Sequence, residues 1–272
     1  MAPVLGRSLH SLQQVQPGTG STQVQQAQQP LQPHWTDALL QRNLPLTLAR
    51  GRTRTGARKN RLLLELAETH AESAADKEDA ATPVAESLEW ESPLSIIRYP
   101  DPRLRAVNAR IGVFDERLKQ LAAEMFDVMY NGDDGVGLAA PQVGVNVRLM
   151  VFNPEGKDGK EEYILVNPRI VSVNKGTDVM EEGCLSFPKT FADVERPTTV
   201  KIKAQDVNGK KVSLTFRGWP ARIFQHEYDH LQGTLFHDRM QPEALASIKP
   251  KLKQLETDFM QKHPGVQIRT VD

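Results

Sequence analysis

The chain has 272 residues, 34 of them acidic and 34 basic, for a net charge of +0. That length holds one sizeable domain with extensions, or two small ones, and the balanced charge offers no electrostatic case for nucleic acid or an anionic membrane. Aromatics are sparse at 6%, a single cysteine excludes an intrachain disulfide framework, and no run of about 18 apolar residues exists to span a bilayer.

Three compositional zones follow one another. Residues 1–61 carry eight Lys/Arg and one acid, Asp37, and the first half is Gln-rich. Such a stretch buries too little apolar surface to order itself, and its basic, acid-poor, hydroxyl-bearing character reads as an organelle transit peptide. Residues 62–92 reverse the sign, with nine acids against Lys77, and read as a solvated acidic linker. A folded domain is expected over 93–262, with 263–272 as a C-terminal tail.

Within that domain, Tyr99-Pro100-Asp101-Pro102 is turn chemistry. Leu118, Leu121, Ala122, Met125 and Met129 recur at helical spacing, which predicts an amphipathic helix over 115–130. Arg148–Phe152 and Tyr163–Asn167 are short β-prone runs. Val200, Ile202 and Ala204 alternate with polar residues, as do Val212, Leu214 and Phe216, and Asn208-Gly209 between them signals a hairpin. Trp219–Gln232 reads as a helix capped by Gly233. Leu245, Ile248, Leu252, Leu255 and Phe259 form a last helical stripe, which Pro250 should break or kink near Ile248–Lys249. The class is α+β: small antiparallel sheets around a central helix that carries the chemistry, preceded by a disordered leader.

That chemistry begins with His226-Glu227-Tyr228-Asp229-His230, an H-E-x-x-H sequence. Residues four apart on a helix lie one above the other, so both imidazoles can grip one ion while Glu227 reaches a water beside it. A catalytic metal usually takes three protein ligands. His237 lies one residue beyond the third-ligand position of the metzincin pattern, and Glu243 and Glu256 offer later carboxylates without a motif. The better candidate is Cys184, within Glu181-Glu182-Gly183-Cys184-Leu185-Ser186-Phe187-Pro188. A third stretch, Gly135-Val136-Gly137-Leu138-Ala139-Ala140-Pro141-Gln142-Val143-Gly144, combines small residues that permit close approach with one amide, Gln142.

Together, GVGLAAPQVG, EGCLS and QHEYDHLQG, in that order and roughly 40 residues apart, resemble the three motifs of peptide deformylases, and the resemblance runs from about Pro93 to Phe259. EGCLSFP and the leader make the chain most similar to the plastid-type enzymes of plants and algae. The resemblance implies Cys184, His226 and His230 as metal ligands, with Fe²⁺ the family's usual ion and Zn²⁺ or Ni²⁺ able to replace it. It implies removal of formyl groups from nascent N-formylmethionyl polypeptides, in the chloroplast stroma or alternatively the mitochondrion. Transient ribosome association fits a nascent substrate; direct nucleic-acid or membrane binding is not expected. Glu227 should serve as base, with the Gln142 amide and the Leu185 N–H on the developing oxyanion. Gly137 and Gly183 should flank the peptide. Val136, Met180, Trp219 and Ile223 should line a methionine pocket, with Phe187 and Phe191 at its rim. Many bacterial members carry an Arg after EGCLS that holds the peptide backbone, where this chain has Lys189-Thr190-Phe191-Ala192.

Overall fold

The computed structural model describes residues 82–131 and 135–272. The transit-peptide reading, and the linker reading up to residue 81, lie outside the described residues.

The first elements are a short parallel pair, β1 (Val84–Ala85) with β2 (Arg110–Ile111). Helix α1 (Glu116–Asn131) follows, its first turn capped by Asp115 Oδ1 accepting from Leu118 N at 3.1 Å. All five residues of the expected stripe on α1 are fully buried. Five strands then build the main antiparallel sheet: β3 (Gly137–Ala139), β4 (Leu149–Phe152), β5 (Tyr163–Val173), β8 (Thr199–Gln205) and β9 (Lys211–Arg217), in the order β3-β4-β5-β8-β9. A separate hairpin pairs β6 (Thr177–Cys184) with β7 (Phe187–Pro197). Helix α2 (Trp219–Leu231) packs against β3, β4 and β9, and also against β7. Helix α3 (Pro242–Lys262) closes the chain.

The expected β8–β9 hairpin is present in register, Ile202 opposite Leu214, but its connection runs over residues 206–210 with Gly209 at φ 80°. Asp206 Oδ1 organises that loop by accepting from Asn208 N and Lys210 N.

Apolar side chains gather in three clusters. One lies between α1 and the β3–β4 edge. A second lies between the main sheet and α2. The third joins Tyr99, β7 and α3. Helix α2 is thus held between the sheet and the β6–β7 hairpin. Its C-terminal end is tied down by Asn108, whose Nδ2 donates to the carbonyls of His230 at 3.2 Å and Leu231 at 3.1 Å.

Three expectations need correction. The packed fold begins before Pro93. Leu88 is buried in the first cluster, Trp90 Nε1 donates to Glu124, and Arg117 lies over the Trp90 ring while its Nε donates to the Leu88 carbonyl. Charge counting hid these two apolar anchors among the acids. The tail is likewise docked: Val271 is buried and its N–H donates to Glu256 Oε1 at 2.7 Å. Helix α3 runs unbroken through Pro250. Proline costs a helix about 3 kcal/mol, but Ile248 and Leu252 on either side of it are buried in the third cluster, and packing on both sides outweighs that cost.

Candidate metal and active site

Cys184, His226 and His230 place one ligand atom each within 4.8 Å of one another. Helix α2 supplies the two imidazoles, four residues apart on one face, with ring centroids 5.3 Å apart. The β6–β7 hairpin supplies the thiol. Its register breaks beside that residue: Gly183 pairs with Phe191 but Cys184 pairs with Phe187, and Lys189 in the looped-out stretch sits at φ 51°. A bulge of this kind re-aims a side chain, and here it brings Cys184 Sγ to 3.3 Å from His230 Nε2. Two ligands on a tetrahedral ion with bonds of about 2.0–2.3 Å stand at about that separation.

The surroundings suit a cation held by thiolate and imidazole. Glu182 takes His226 Nδ1 at 2.9 Å, leaving Nε2 for the cluster. Glu182 also accepts from Arg196 Nε at 2.6 Å, Arg196 Nη2 at 3.0 Å and Arg222 Nη1 at 2.7 Å. Arg196 continues to Asp229 Oδ2 at 2.9 Å, and Asp229 receives Arg239 as well. Burial would raise the Glu182 carboxyl, but His226 and Arg196 hold it far below its ordinary value. Burial alone would lower His226; hydrogen bonds and charge from Cys184 and Glu182 outweigh it and raise the imidazole well above its usual range. His230 moves the other way, lowered by burial and by the charge on His226.

Glu227 is 4% exposed, and its Oε2 has no hydrogen-bond partner. Burial pushes its carboxyl up to about 7, only partly opposed by the positive charge of His226 and Arg196. The room for this carboxylate comes from Gly137, where an added Cβ would collide with Glu227 Oε1 and approach Ile223 Cγ2 at 2.9 Å. Gln142, fully buried on the 3-10 turn Ala140–Val143, fixes its Oε1 on Ala139 N at 2.8 Å. Its Nε2 is thereby turned toward Cys184 Sγ at 3.5 Å and Ser186 Oγ at 3.3 Å. Leu185 occupies the turn between β6 and β7, next to the thiol.

Three of the four expected pocket residues share the second cluster: Ile223 in its core, Val136 and Trp219 packed on it. Met180 belongs to none of the three clusters and pairs with Val194. Phe187 cannot form a rim, since it is 1% exposed and stacks on Tyr99 at 4.8 Å. Of the other third-ligand candidates, Glu243 is exposed in the first turn of α3 and the remaining two are engaged elsewhere. His237 faces Arg105 and packs on Tyr99 and Phe187, while Glu256 accepts from Tyr99 Oη at 2.5 Å and from Val271 N. Residue patterns singled out none of Glu182, Arg196, Arg222 and Asp229. A usable signal existed: Glu182 lies two residues before Cys184, hence on the same strand face, and Arg222 lies one turn before His226.

A family model for polypeptide deformylase matches residues 93–245. The chain belongs to the peptide deformylase family. It is 55% identical over 186 residues to peptide deformylase 1B, chloroplastic, of Oryza sativa subsp. japonica, with 68% of each chain covered. It is 51% identical over 187 residues to peptide deformylase 1B, chloroplastic/mitochondrial, of Arabidopsis thaliana, again with 68% of each covered. A crystal structure of plant peptide deformylase PDF1B superposes with a TM-score of 0.65 at 51% identity, over 68% of this chain and all of that one. This deformylase-family enzyme therefore carries its candidate metal site on two of the three motifs, with the third, glycine-rich motif making room for Glu227. No helix among the described residues is long and apolar enough to cross a membrane.

Proposed function

We propose that the enzyme hydrolyses the N-formyl group from the N-terminal formyl-methionine of nascent polypeptides, releasing formate and a free amine. The observation that carries this reading is the convergence of Cys184, His226 and His230 beside the buried, unpartnered Glu227 Oε2 in a deformylase-family chain. Those three residues would hold one divalent ion, Fe²⁺ by family resemblance, with Zn²⁺ or Ni²⁺ acceptable to the same thiolate–imidazole set. When bound, the ion supplies the Lewis acidity that makes water a nucleophile at neutral pH.

The chain's own residues do the rest. Glu227, held near neutrality by its dry setting, takes a proton from the attacking water. Oxygen joins the formyl carbon, and charge develops on the formyl oxygen. The Gln142 Nε2 and the Leu185 N–H donate to that oxygen. The C–N bond then breaks as Glu227 returns the proton to the amine nitrogen. Val136, Trp219 and Ile223 receive the methionine side chain, and the Gly137 and Gly183 backbones flank the peptide. The plastid stroma is the proposed compartment, following the names of the plant relatives, with the mitochondrion as alternative. Transient docking at the ribosome follows from the nascent substrate.

The test is formate release from a formyl-Met tripeptide by anaerobically Fe²⁺-loaded protein, compared with Glu227→Ala. Loss of about two to four orders of magnitude in the loaded variant is expected. Wild-type protein that cleaves internal peptide bonds and releases no formate would overturn the proposal.

A further inference from the structure

The segment Ile97–Tyr99 touches both loops that supply the candidate oxyanion donors. Ile97 N donates to the Gln142 carbonyl at 2.7 Å, and Tyr99 N donates to the Ser186 carbonyl at 2.9 Å. Ile97 and Tyr99 are buried while Arg98 between them is exposed. That is the alternation of an extended segment, in which N–H groups two residues apart face the same way. One short stretch of backbone therefore holds both loops. The second loop needs such a tie. Cys184 pairs with Phe187, so Leu185 and Ser186 form a turn outside the β6–β7 ladder. Ser186 is fully buried there, and a buried carbonyl must find a donor.

Tyr99 is itself anchored from the other side, on α3 and the tail. Its ring stacks on Phe187 at 4.8 Å, and its Oη donates to Glu256 Oε1 at 2.5 Å. Glu256 is buried, and the same oxygen accepts from Val271 N at 2.7 Å. A hydrogen bond to a carboxylate is among the stronger kinds, and this one fixes the depth of the ring and hence of the Tyr99 backbone.

We propose that Tyr99 is a positioning residue for the reaction. Its bond to Glu256 sets where the Ser186 carbonyl, and with it the adjoining Leu185 N–H, stands relative to the Gln142 amide. The inference rests on the deformylase reading above, which directs both donors at the formyl oxygen. Charge on that oxygen develops only as water adds, so a displaced donor costs transition-state stabilisation and little substrate binding. The docked tail thereby reaches the site through Glu256 and Tyr99.

A tyrosine that merely filled the third cluster would lower stability when lost and leave turnover in the folded protein unchanged, so the experiment reads the two separately. Formate release from a formyl-Met tripeptide is measured with the Fe²⁺-loaded full chain, alongside metal content and thermal midpoint. Tyr99→Phe is expected to lower kcat about tenfold, with KM within about twofold and metal content unchanged. That variant also strands the Glu256 carboxylate. Tyr99→Phe/Glu256→Leu replaces both partners by apolar groups and should recover part of the thermal midpoint while the loss in kcat remains. The double variant carries the test if Tyr99→Phe does not fold. In a Gln142→Ala background the formyl oxygen has one donor left to follow, so adding Tyr99→Phe should cost only about twofold. Wild-type kcat in folded, metal-loaded Tyr99→Phe, kcat restored in the double variant, or an equal fold loss in both backgrounds overturns the inference and leaves the deformylase reading intact. No formate from wild type removes both.

Discussion

The protein contains two antiparallel hairpins that present different materials to the same helix. In β8–β9 the inward positions include Val200, Ile202, Ala204 and Phe216, which join the sheet to α2 through apolar contact. In β6–β7 they include Glu182, Cys184, Thr190 and Arg196, and the contact with α2 is a run of charge-assisted hydrogen bonds. Both hairpins hold the same helix. The first fixes where α2 lies, and the second fixes how its imidazoles are turned. Apolar packing tolerates small slips, whereas a carboxylate bonded to two arginines and an imidazole accepts only one arrangement.

The sharpest way to break this comparison is Glu182→Ala, which leaves His226 Nδ1 without its partner and removes the buried carboxylate shared by Arg196 and Arg222, whose remaining partners are Asp229 and the carbonyls of Val194 and Asp178. Unfolding free energy should fall by about 3–5 kcal/mol in denaturant titrations; a loss below 1 kcal/mol would mean the network is ornamental. Acid should also attack the β6–β7 side first. His237, packed on Phe187 at the start of β7, is lowered by burial from 6.5 to about 4, so it is neutral when folded and protonated when unfolded across that range. Unfolding releases it to take up a proton, and stability should therefore decline as pH falls from 6.5 toward 4, by on the order of 2–3 kcal/mol. His237→Phe should flatten that slope, and an unchanged profile would assign the decline elsewhere. On the β8–β9 side, Gly209→Ala places a side chain at φ 80° and 3.2 Å from Phe114, for about 1–2 kcal/mol. Smallest is Ile202→Val, about 0.5–1.5 kcal/mol, with formate release retained once the fold is intact. A larger loss at Ile202 than at Glu182 would invert the comparison.

The same contrast explains what was legible beforehand. The β8–β9 pair, α1 and α2 could be read because apolar side chains recur at the period of their element. The β6–β7 pair could not, because its buried face interleaves Ala192 and Val194 with glutamate, cysteine, threonine and arginine, which interrupt the hydropathy pattern. The strand pattern is sound in burial and invisible in polarity. Motif spacing showed what periodicity could not: Cys184, Gln142, His226, Glu227 and His230 were selected from short patterns, and the fold brings Cys184, Gln142, His226 and His230 together. Met180 was expected to line the methionine pocket and Phe187 to form its rim. Strand alternation and the third cluster decide their surroundings, and neither is local. Leu88 and Trp90 were masked by the nine acids around them, and Pro250 by a local penalty that tertiary packing overrides.

The Asn108 cap on α2 has a kinetic side. His230, one of the three ligand candidates, lies in the final turn of its helix, where unsatisfied carbonyls invite fraying within the native state. By tying down the carbonyls of His230 and Leu231, Asn108 ties the position of the His230 imidazole to how often that end opens. A side chain outside the candidate ligand set thus restrains one of its members.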